Sequence, residues 1–362
     1  MHPLIVTAIA LLVLAAPAHP AVQPSSGPSN QTLTAVEGLR VGHVTLSERP
    51  TGCTVIIVDG DAVGGVSQRG GAPGTRETDL LNPVNMVDKV NAVVLAGGSA
   101  FGLEAATGTV RWLEEHHIGW DVRIARVPIV PAAILFDLPV GGKPDVRPTA
   151  DCGYKAAAAA TADAVQEGSV GAGAGATVGK LGGFAERAGS PSGQRGPMKA
   201  GLGSAAVRMP NGLVVAAIVA VNAVGDIIDP DSGKVLAGAL RPDGTFADAR
   251  TILRSGALCE RPRPGENTTI GLVATNARLT KADASRMALM ADDGYARAIY
   301  PSHTSGDGDT VFSLATGRWP GEADVTTIGA LAAEAMAQAI VRAATQATGI
   351  PGFPAARDLT KK

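Results

Sequence analysis

Short apolar runs, broken by Gly, Asn and Asp, recur along the chain and predict strands. Thr54-Val55-Ile56-Ile57-Val58 is β-branched and ends at Asp59-Gly60, a turn signal. Val90-Asn91-Ala92-Val93-Val94-Leu95 leads into Ala96-Gly97-Gly98-Ser99. Leu213 to Val221 lies between Asn211-Gly212 and Asn222 and reads as a buried strand. Ile270–Thr275 and Val311–Thr316 read likewise. Helical spacing takes over from Ala100 to Glu115, with apolar residues at Phe101, Leu103, Ala106, Val110 and Leu113. Further helices are predicted over Tyr154–Glu167, stopped by Gly168, over Lys281–Tyr295, started by Thr280, and over Thr327–Thr345, with Ala on nearly every face. Strands crowd the centre and helices flank them. The expected fold is layered α/β, and more sharply a four-layer α-β-β-α sandwich. One domain is expected over 37–350, with a mobile loop at Gly182–Gly203 and a turn-rich insertion at Asp229–Asp248.

Composition narrows the function. Of the 362 residues, 45% are hydrophobic and 18% charged, enough for a sizeable core. A net charge of −2, no long basic run and only 3% aromatic residues argue against a nucleic-acid partner.

The first residues predict export. An apolar run from Pro3 to Ala16 is too short to span a bilayer comfortably, and Ala16-Pro17-Ala18 has the small-residue spacing of a cleavage site. We expect a signal peptide over 1–21 and a flexible Pro- and Ser-rich leader over 22–36. The mature protein would be periplasmic or secreted, without stable membrane insertion. The n-region has no Lys or Arg, so an uncleaved anchor competes with this reading. Of the three cysteines, Cys53, Cys152 and Cys259, one pair can form, and sequence does not choose it. There is no Cys-x-x-Cys pair, and His116-His117 read as a polar helix end, so no metal is expected.

Candidate chemistry sits at two strand heads. Asn267-Thr268-Thr269 precedes Ile270-Gly271-Leu272-Val273-Ala274, and Asp307-Gly308-Asp309 precedes Val311-Phe312-Ser313-Leu314-Ala315. A hydroxyl at one strand head and two carboxylates at another would equip a threonine nucleophile. Threonine needs a base, and a cut just before it would free an α-amine with a pKa of roughly 8. A polar turn entering a strand is the plain alternative. Gly203-Ser204 is a competing cleavage site, because Ser204 also precedes an apolar run.

Several further motifs, taken in order, resemble one family. They are Gly70-Gly71-Ala72-Pro73-Gly74-Thr75-Arg76-Glu77-Thr78-Asp79, Leu95 to Leu103, Val127 to Ala132, Gly171 to Lys180 and Val221-Asn222-Ala223-Val224-Gly225-Asp226. With the two strand heads they resemble the L-aminopeptidase/D-esterase family of self-processing hydrolases, which includes β-aminopeptidases and nylon-oligomer hydrolase.

The resemblance implies an N-terminal-nucleophile hydrolase fold. It also implies a precursor that cuts itself between Asn267 and Thr268 into an α subunit (37–267) and a β subunit (268–362). Thr268 would be the nucleophile, Asp307 and Asp309 would orient its amine and hydroxyl, Asn222 would be the oxyanion donor, and Lys180 would lie nearby. By the same resemblance Phe136 stands where the nylon-hydrolase branch has a tyrosine, so one phenolic hydrogen bond would be missing. No cofactor is implied, and processed αβ units are expected to form a homo-oligomer. The Gly171–Lys180 run is not a phosphate loop, since Leu181 follows Lys180.

The expected activity is that of an aminopeptidase or amidase acting on short peptides or small amides. An acyltransferase of the ornithine acetyltransferase type and a non-catalytic binding protein are the alternatives. Asp309, at a strand entrance rather than in the core, is expected to accept an isosteric amide with little loss of stability.

Overall fold

The structure, a computed structural model, describes residues 30–181, 196–256, 266–322 and 324–359. Nine strands form its main sheet: β1 (Leu39–Thr45), β2 (Gly52–Gln68), β3 (Thr75–Arg76), β4 (Lys89–Ala96), β5 (Ala132–Ile134), β6 (Leu202–Arg208), β7 (Val214–Asn222), β8 (Thr268–Thr275) and β9 (Thr310–Ala315). Their order is β6-β7-β8-β9-β2-β4-β5-β3, with β1 beside β2. β8 runs parallel to β9 and β4 parallel to β5, and the remaining pairs are antiparallel.

Strand β2 belongs to both halves of this network. Its first part pairs with β1 and β4, its last part with β9, and its register against β4 shifts between Ile57 and Ala62. The Asp59-Gly60 turn signal is therefore a bulge inside a 17-residue strand and not its end.

Alternation of side chains shows how the halves stack. Val215, Ala217, Val219 and Val221 of β7 face one core with α3 (Lys281–Ala298) and α4 (Val325–Thr345). Ala216, Ile218 and Ala220 face a second core, which Ile56, Val58, Val93 and Leu95 of β2 and β4 enter from the other half. Cys53, Val55, Ile57, Ala92 and Val94 point away into a third core with α1 (Glu104–Glu115) and α2 (Ala150–Ala158). Helices, sheet, sheet and helices follow one another, and the middle core lies between the two sheet faces, an arrangement consistent with four layers.

Several boundaries differ from the sequence reading. Helix α2 ends at Ala158 rather than Glu167, because Thr161 exchanges backbone hydrogen bonds with Val41 of β1, at 2.8 and 3.1 Å. That pairing outweighs the alanine-rich helical preference of the segment. Helix α3 starts at Lys281 behind a Thr280–Asp283 capping box, and Asp324 caps α4. Packed structure also reaches back beyond residue 37, since Leu33 and Val36 are fully buried. The expected loop over 182–203 splits: 182–195 lies outside the described residues, Met198–Lys199 pairs with Thr177–Val178, and β6 begins at Leu202. The signal segment and Cys259 also lie outside the described residues. Cys53 and Cys152 form a disulfide that ties β2 to α2.

Candidate active site

The sheet register itself assembles the site. Asn222, the last residue of β7, pairs with Thr268, the first of β8, and Asn267 bridges in parallel to Asp307 on the approach to β9. Asn222, Asn267, Thr268, Asp307 and Asp309 are all buried, none more than 2% exposed. Every residue expected at the site except Lys180 thus lies at one end of three adjacent strands, and Lys180 reaches in from the Gly171–Gly179 segment.

The peptide bond between Asn267 and Thr268 is gripped at its carbonyl. The Thr268 hydroxyl donates to the Asn267 oxygen, and the Gly308 N–H donates to the same oxygen at 2.9 Å. Glycine is needed at 308, because a Cβ there would lie 2.7 Å from Ala72 O and 2.9 Å from Thr268 Oγ1. Gly70 plays a matching part from below: a Cβ on it would meet Asp309 N at 2.3 Å and Asp307 O at 2.4 Å. The Gly70-Gly71-Ala72 motif packs its backbone on the acidic loop, with Ala72 N donating to Asp307 O at 2.8 Å.

The two aspartates differ. Asp309 is satisfied on both oxygens: Oδ1 accepts from Thr269 N at 2.8 Å and Oδ2 from His303 N at 2.9 Å. Asp307 accepts from Thr304 N at 2.9 Å through Oδ2, while its buried Oδ1 has no partner. Burial, reinforced by the Asp309 charge, pushes the Asp307 carboxyl up to about 6, against the pull of Thr304 and Lys180.

Lys180 donates through Nζ to Asn222 O at 2.8 Å. Burial pushes its ammonium down to about 7 although Asp307, Glu266 and Asp137 favour the charge. The Asn222 amide has a fixed orientation: Oδ1 accepts from Thr177 N at 3.0 Å, so Nδ2 is the group that donates to Phe136 O at 2.8 Å. Asn222 Nδ2 therefore does not hold the Asn267 carbonyl, which accepts from Gly308 N–H instead. Phe136 enters the site through its backbone oxygen and its ring, with no phenol.

A cavity of about 380 Å³ opens beside the bond. Phe136, Pro139, Val140, Pro197 and Phe353 supply apolar wall, and Thr177, Lys180, Glu266 and Asn267 supply the polar part. The 136–140 wall is anchored by a buried ion pair: Asp137 accepts from Arg49 at 2.9 Å, Thr51 Oγ1 at 2.6 Å and Gly98 N at 2.9 Å. Lys199, fully buried, donates to Gly173 O and Ala176 O at 2.9 and 3.1 Å and braces the glycine-rich segment. Sequence reasoning missed Gly308 N–H, His303, Arg49, Asp137, Lys199 and Phe353. Of these, Asp137 alone carried a sequence signal, a single charge inside the apolar run Ile129–Val140.

Ser204 does not head a strand. It lies inside β6, fully buried, donating to Ala217 O at 2.7 Å and accepting from Leu33 N at 2.8 Å. Both of its hydrogen-bonding roles are taken by distant backbone, which marks a structural serine.

Fold and site together define a hydrolase with the N-terminal-nucleophile fold. Solved structures agree: the L-aminopeptidase D-Ala-esterase/amidase of Ochrobactrum anthropi matches with a TM-score of 0.64 at 19% identity, covering 94% of each chain. A Burkholderia sp. β-aminopeptidase matches with a TM-score of 0.62 at 21% identity, covering 89% of this chain and 88% of that one. The chain belongs to peptidase family S58, whose profile matches residues 31–357. It is 42% identical to a protein of Mycobacterium tuberculosis named an uncharacterized aminopeptidase, over 91% of this chain and 97% of that protein. It is 30% identical to the 6-aminohexanoate-oligomer endohydrolase of Kocuria sp., over 85% of this chain and 84% of that protein.

Proposed function

We propose that this hydrolase activates itself by cutting between Asn267 and Thr268 and then uses Thr268 as the nucleophile against short peptides or small amides. The observation that carries the proposal is the grip on the Asn267 carbonyl, with the Thr268 hydroxyl and the Gly308 N–H on one oxygen beside a cavity. In the first stage Thr268 Oγ1 attacks the Asn267 carbonyl carbon and Gly308 N–H stabilises the oxyanion. The C–N bond breaks, the Thr268 nitrogen takes a proton, and water hydrolyses the resulting ester. In the second stage the free amine is the general base, and the Thr268 hydroxyl attacks the substrate carbonyl. Asn222 Nδ2, which has a second N–H beyond the one given to Phe136, is the proposed donor to the substrate oxyanion. The unpartnered Asp307 Oδ1 is the acceptor that suits a new Thr268 ammonium. Lys180, which gives up its proton near neutrality, borders both stages.

The names of the relatives, aminopeptidases and amide-oligomer hydrolases, support amide bonds in small substrates. Export is part of the same proposal, supported by the Cys53–Cys152 disulfide. So is a homo-oligomer of processed units, for which the exposed apolar hairpin Trp120, Val122, Ile124 and Val127 offers a surface. Purified wild-type protein should give two bands on a denaturing gel, the smaller beginning at Thr268 by mass spectrometry, and Thr268→Ala should give one. Splitting of Thr268→Ala, or a fragment beginning at Ser204, defeats the assignment. Release of amine from α- and β-aminoacyl p-nitroanilides by the processed protein tests the second stage.

A further inference from the structure

His303 was not among the residues expected at the site, yet it touches the carboxylate that accepts from Thr269 N, next to Thr268. Its backbone N–H donates to Asp309 Oδ2 at 2.9 Å, and its ring Nδ1 lies 3.0 Å from the same oxygen. The ring approach is an ion contact and not a well-aligned hydrogen bond. On the other edge Nε2 faces Asp292 O at 3.4 Å. Both ring nitrogens therefore face acceptors, an arrangement that suits the doubly protonated imidazolium. The ring stacks on buried Tyr295, with centroids 5.6 Å apart, and Tyr295 in turn donates to Thr310 O at 3.2 Å. Burial works against a charged ring, but Asp309 and Asp292 outweigh it and hold His303 above its ordinary range.

The backbone is committed to this contact as well. His303 has φ +55°, a left-handed conformation that non-glycine residues rarely adopt. That conformation turns its N–H and its ring toward one carboxylate. The other Asp309 oxygen accepts from Thr269 N, the residue directly after the expected nucleophile. Asp309 thus links the His303 side of the loop to the head of β8.

We propose that His303 is a positioning residue: it fixes the Asp309 carboxylate against Thr269 and so sets the Thr268 hydroxyl for both self-cleavage and turnover. This rests on Thr268 being the nucleophile. His303 touches no substrate; it acts through Asp309.

Four variants of the full chain test it. His303→Gly keeps the left-handed backbone and its N–H but removes the ring. His303→Asn keeps the conformation and a side-chain donor, since asparagine tolerates this region. His303→Asp keeps the shape of the asparagine variant and puts an acceptor beside Asp309. Thr268→Ala is the reference for the nucleophile. The readouts are the rate of splitting on a gel, kcat and KM of the processed fraction on an aminoacyl p-nitroanilide, and the melting temperature.

The expected result is that glycine slows splitting and kcat about tenfold or more at little change in KM, while asparagine stays within about threefold of wild type. Aspartate should be at least tenfold slower than asparagine, a comparison that holds even if the glycine variant melts early. Wild-type rates in the glycine variant, or equal rates for asparagine and aspartate, overturn the positioning role. Splitting of Thr268→Ala would overturn the nucleophile reading instead, and the two failures are told apart by which variant shows them.

Discussion

Asp309→Asn replaces one oxygen with an NH2 where both oxygens already accept hydrogen bonds. The donors are Thr269 N at 2.8 Å on Oδ1 and His303 N at 2.9 Å on Oδ2. Whichever way the amide turns, its NH2 faces a backbone N–H. One buried bond is lost, one buried donor is orphaned, and the His303 ring loses its counter-charge. An orphaned buried donor costs about 1–3 kcal/mol, and breaking a buried charge pair adds more. The His303 side chain keeps 17% of its exposure, which softens the second contribution. The expected loss is about 2–4 kcal/mol. This corrects the expectation that the strand-entrance position would tolerate the swap: an isostere conserves shape, but here the donors sit on both sides.

The measurement is urea unfolding at pH 7 in a Thr268→Ala background, so that both proteins are uncut and only stability is compared. Equal m-values with a lower midpoint for Asp309→Asn are expected. A difference under about 0.5 kcal/mol, within the ordinary range of surface changes, would refute the two-sided hydrogen-bonding argument.

Asp307→Asn should behave oppositely. Its amide can give its oxygen to Thr304 N and turn the NH2 to the side where Oδ1 has no partner, so no hydrogen bond is lost. The sign with pH follows from the raised carboxyl, about 6 when folded against an ordinary 3.8. The folded state holds that proton more tightly, so the wild type loses stability as pH rises between those values and stays lower above them. In the Thr268→Ala background, the stability of Asp307→Asn relative to its parent should therefore rise across pH 4–6, and a flat difference in urea midpoints counts against it. The Cys53–Cys152 bridge closes a sequence separation of 99 residues, so reductant should lower wild-type stability by about 4–5 kcal/mol. Urea midpoints with and without reductant should coincide in a Cys53→Ala/Cys152→Ala variant, and coincidence in the wild type would argue against the bridge.

Sequence carried the strands at the site well because they are buried on both faces. Leu213–Val221 and Val311–Thr316 fall within a residue of β7 and β9, and β8 starts two residues earlier than Ile270. The two strand heads, Asn267-Thr268-Thr269 and Asp307-Gly308-Asp309, were legible because polar residues there interrupt an apolar pattern. What failed depended on contacts far along the chain. Asp59-Gly60 reads as a turn locally, but β9 extends the pairing of β2 past it. The Ala156–Ala160 tract reads as helix until β1 captures Thr161. Gly308 acts through its backbone N–H and His303 through a left-handed loop residue, and neither leaves a periodic trace.

The cavity wall that comes from the C-terminal segment was equally hidden, and it has a consequence for specificity. Phe353 lies past residue 350, where the domain was expected to end, and is held there by Lys199 N donating to Pro354 O at 2.9 Å and by a bridge between Ile350 and Phe353. It faces the cavity that Glu266 and Asn267, the residues on the acyl side of the bond, also line. On the proposed mechanism the substrate acyl group takes the place those residues leave after the cut, so Phe353 should limit how large that group can be. Phe353→Ala should leave splitting unchanged, because Phe353 makes no hydrogen bond to the bond or to the acidic loop. It should raise kcat/KM for bulky aminoacyl p-nitroanilides relative to alanyl ones by roughly tenfold, the lower end of what small changes in an apolar pocket produce. The comparison is a ratio of two substrates on one enzyme, so general loss of activity cancels. An unchanged ratio at normal splitting would place the acyl group elsewhere and remove Phe353 from the specificity wall.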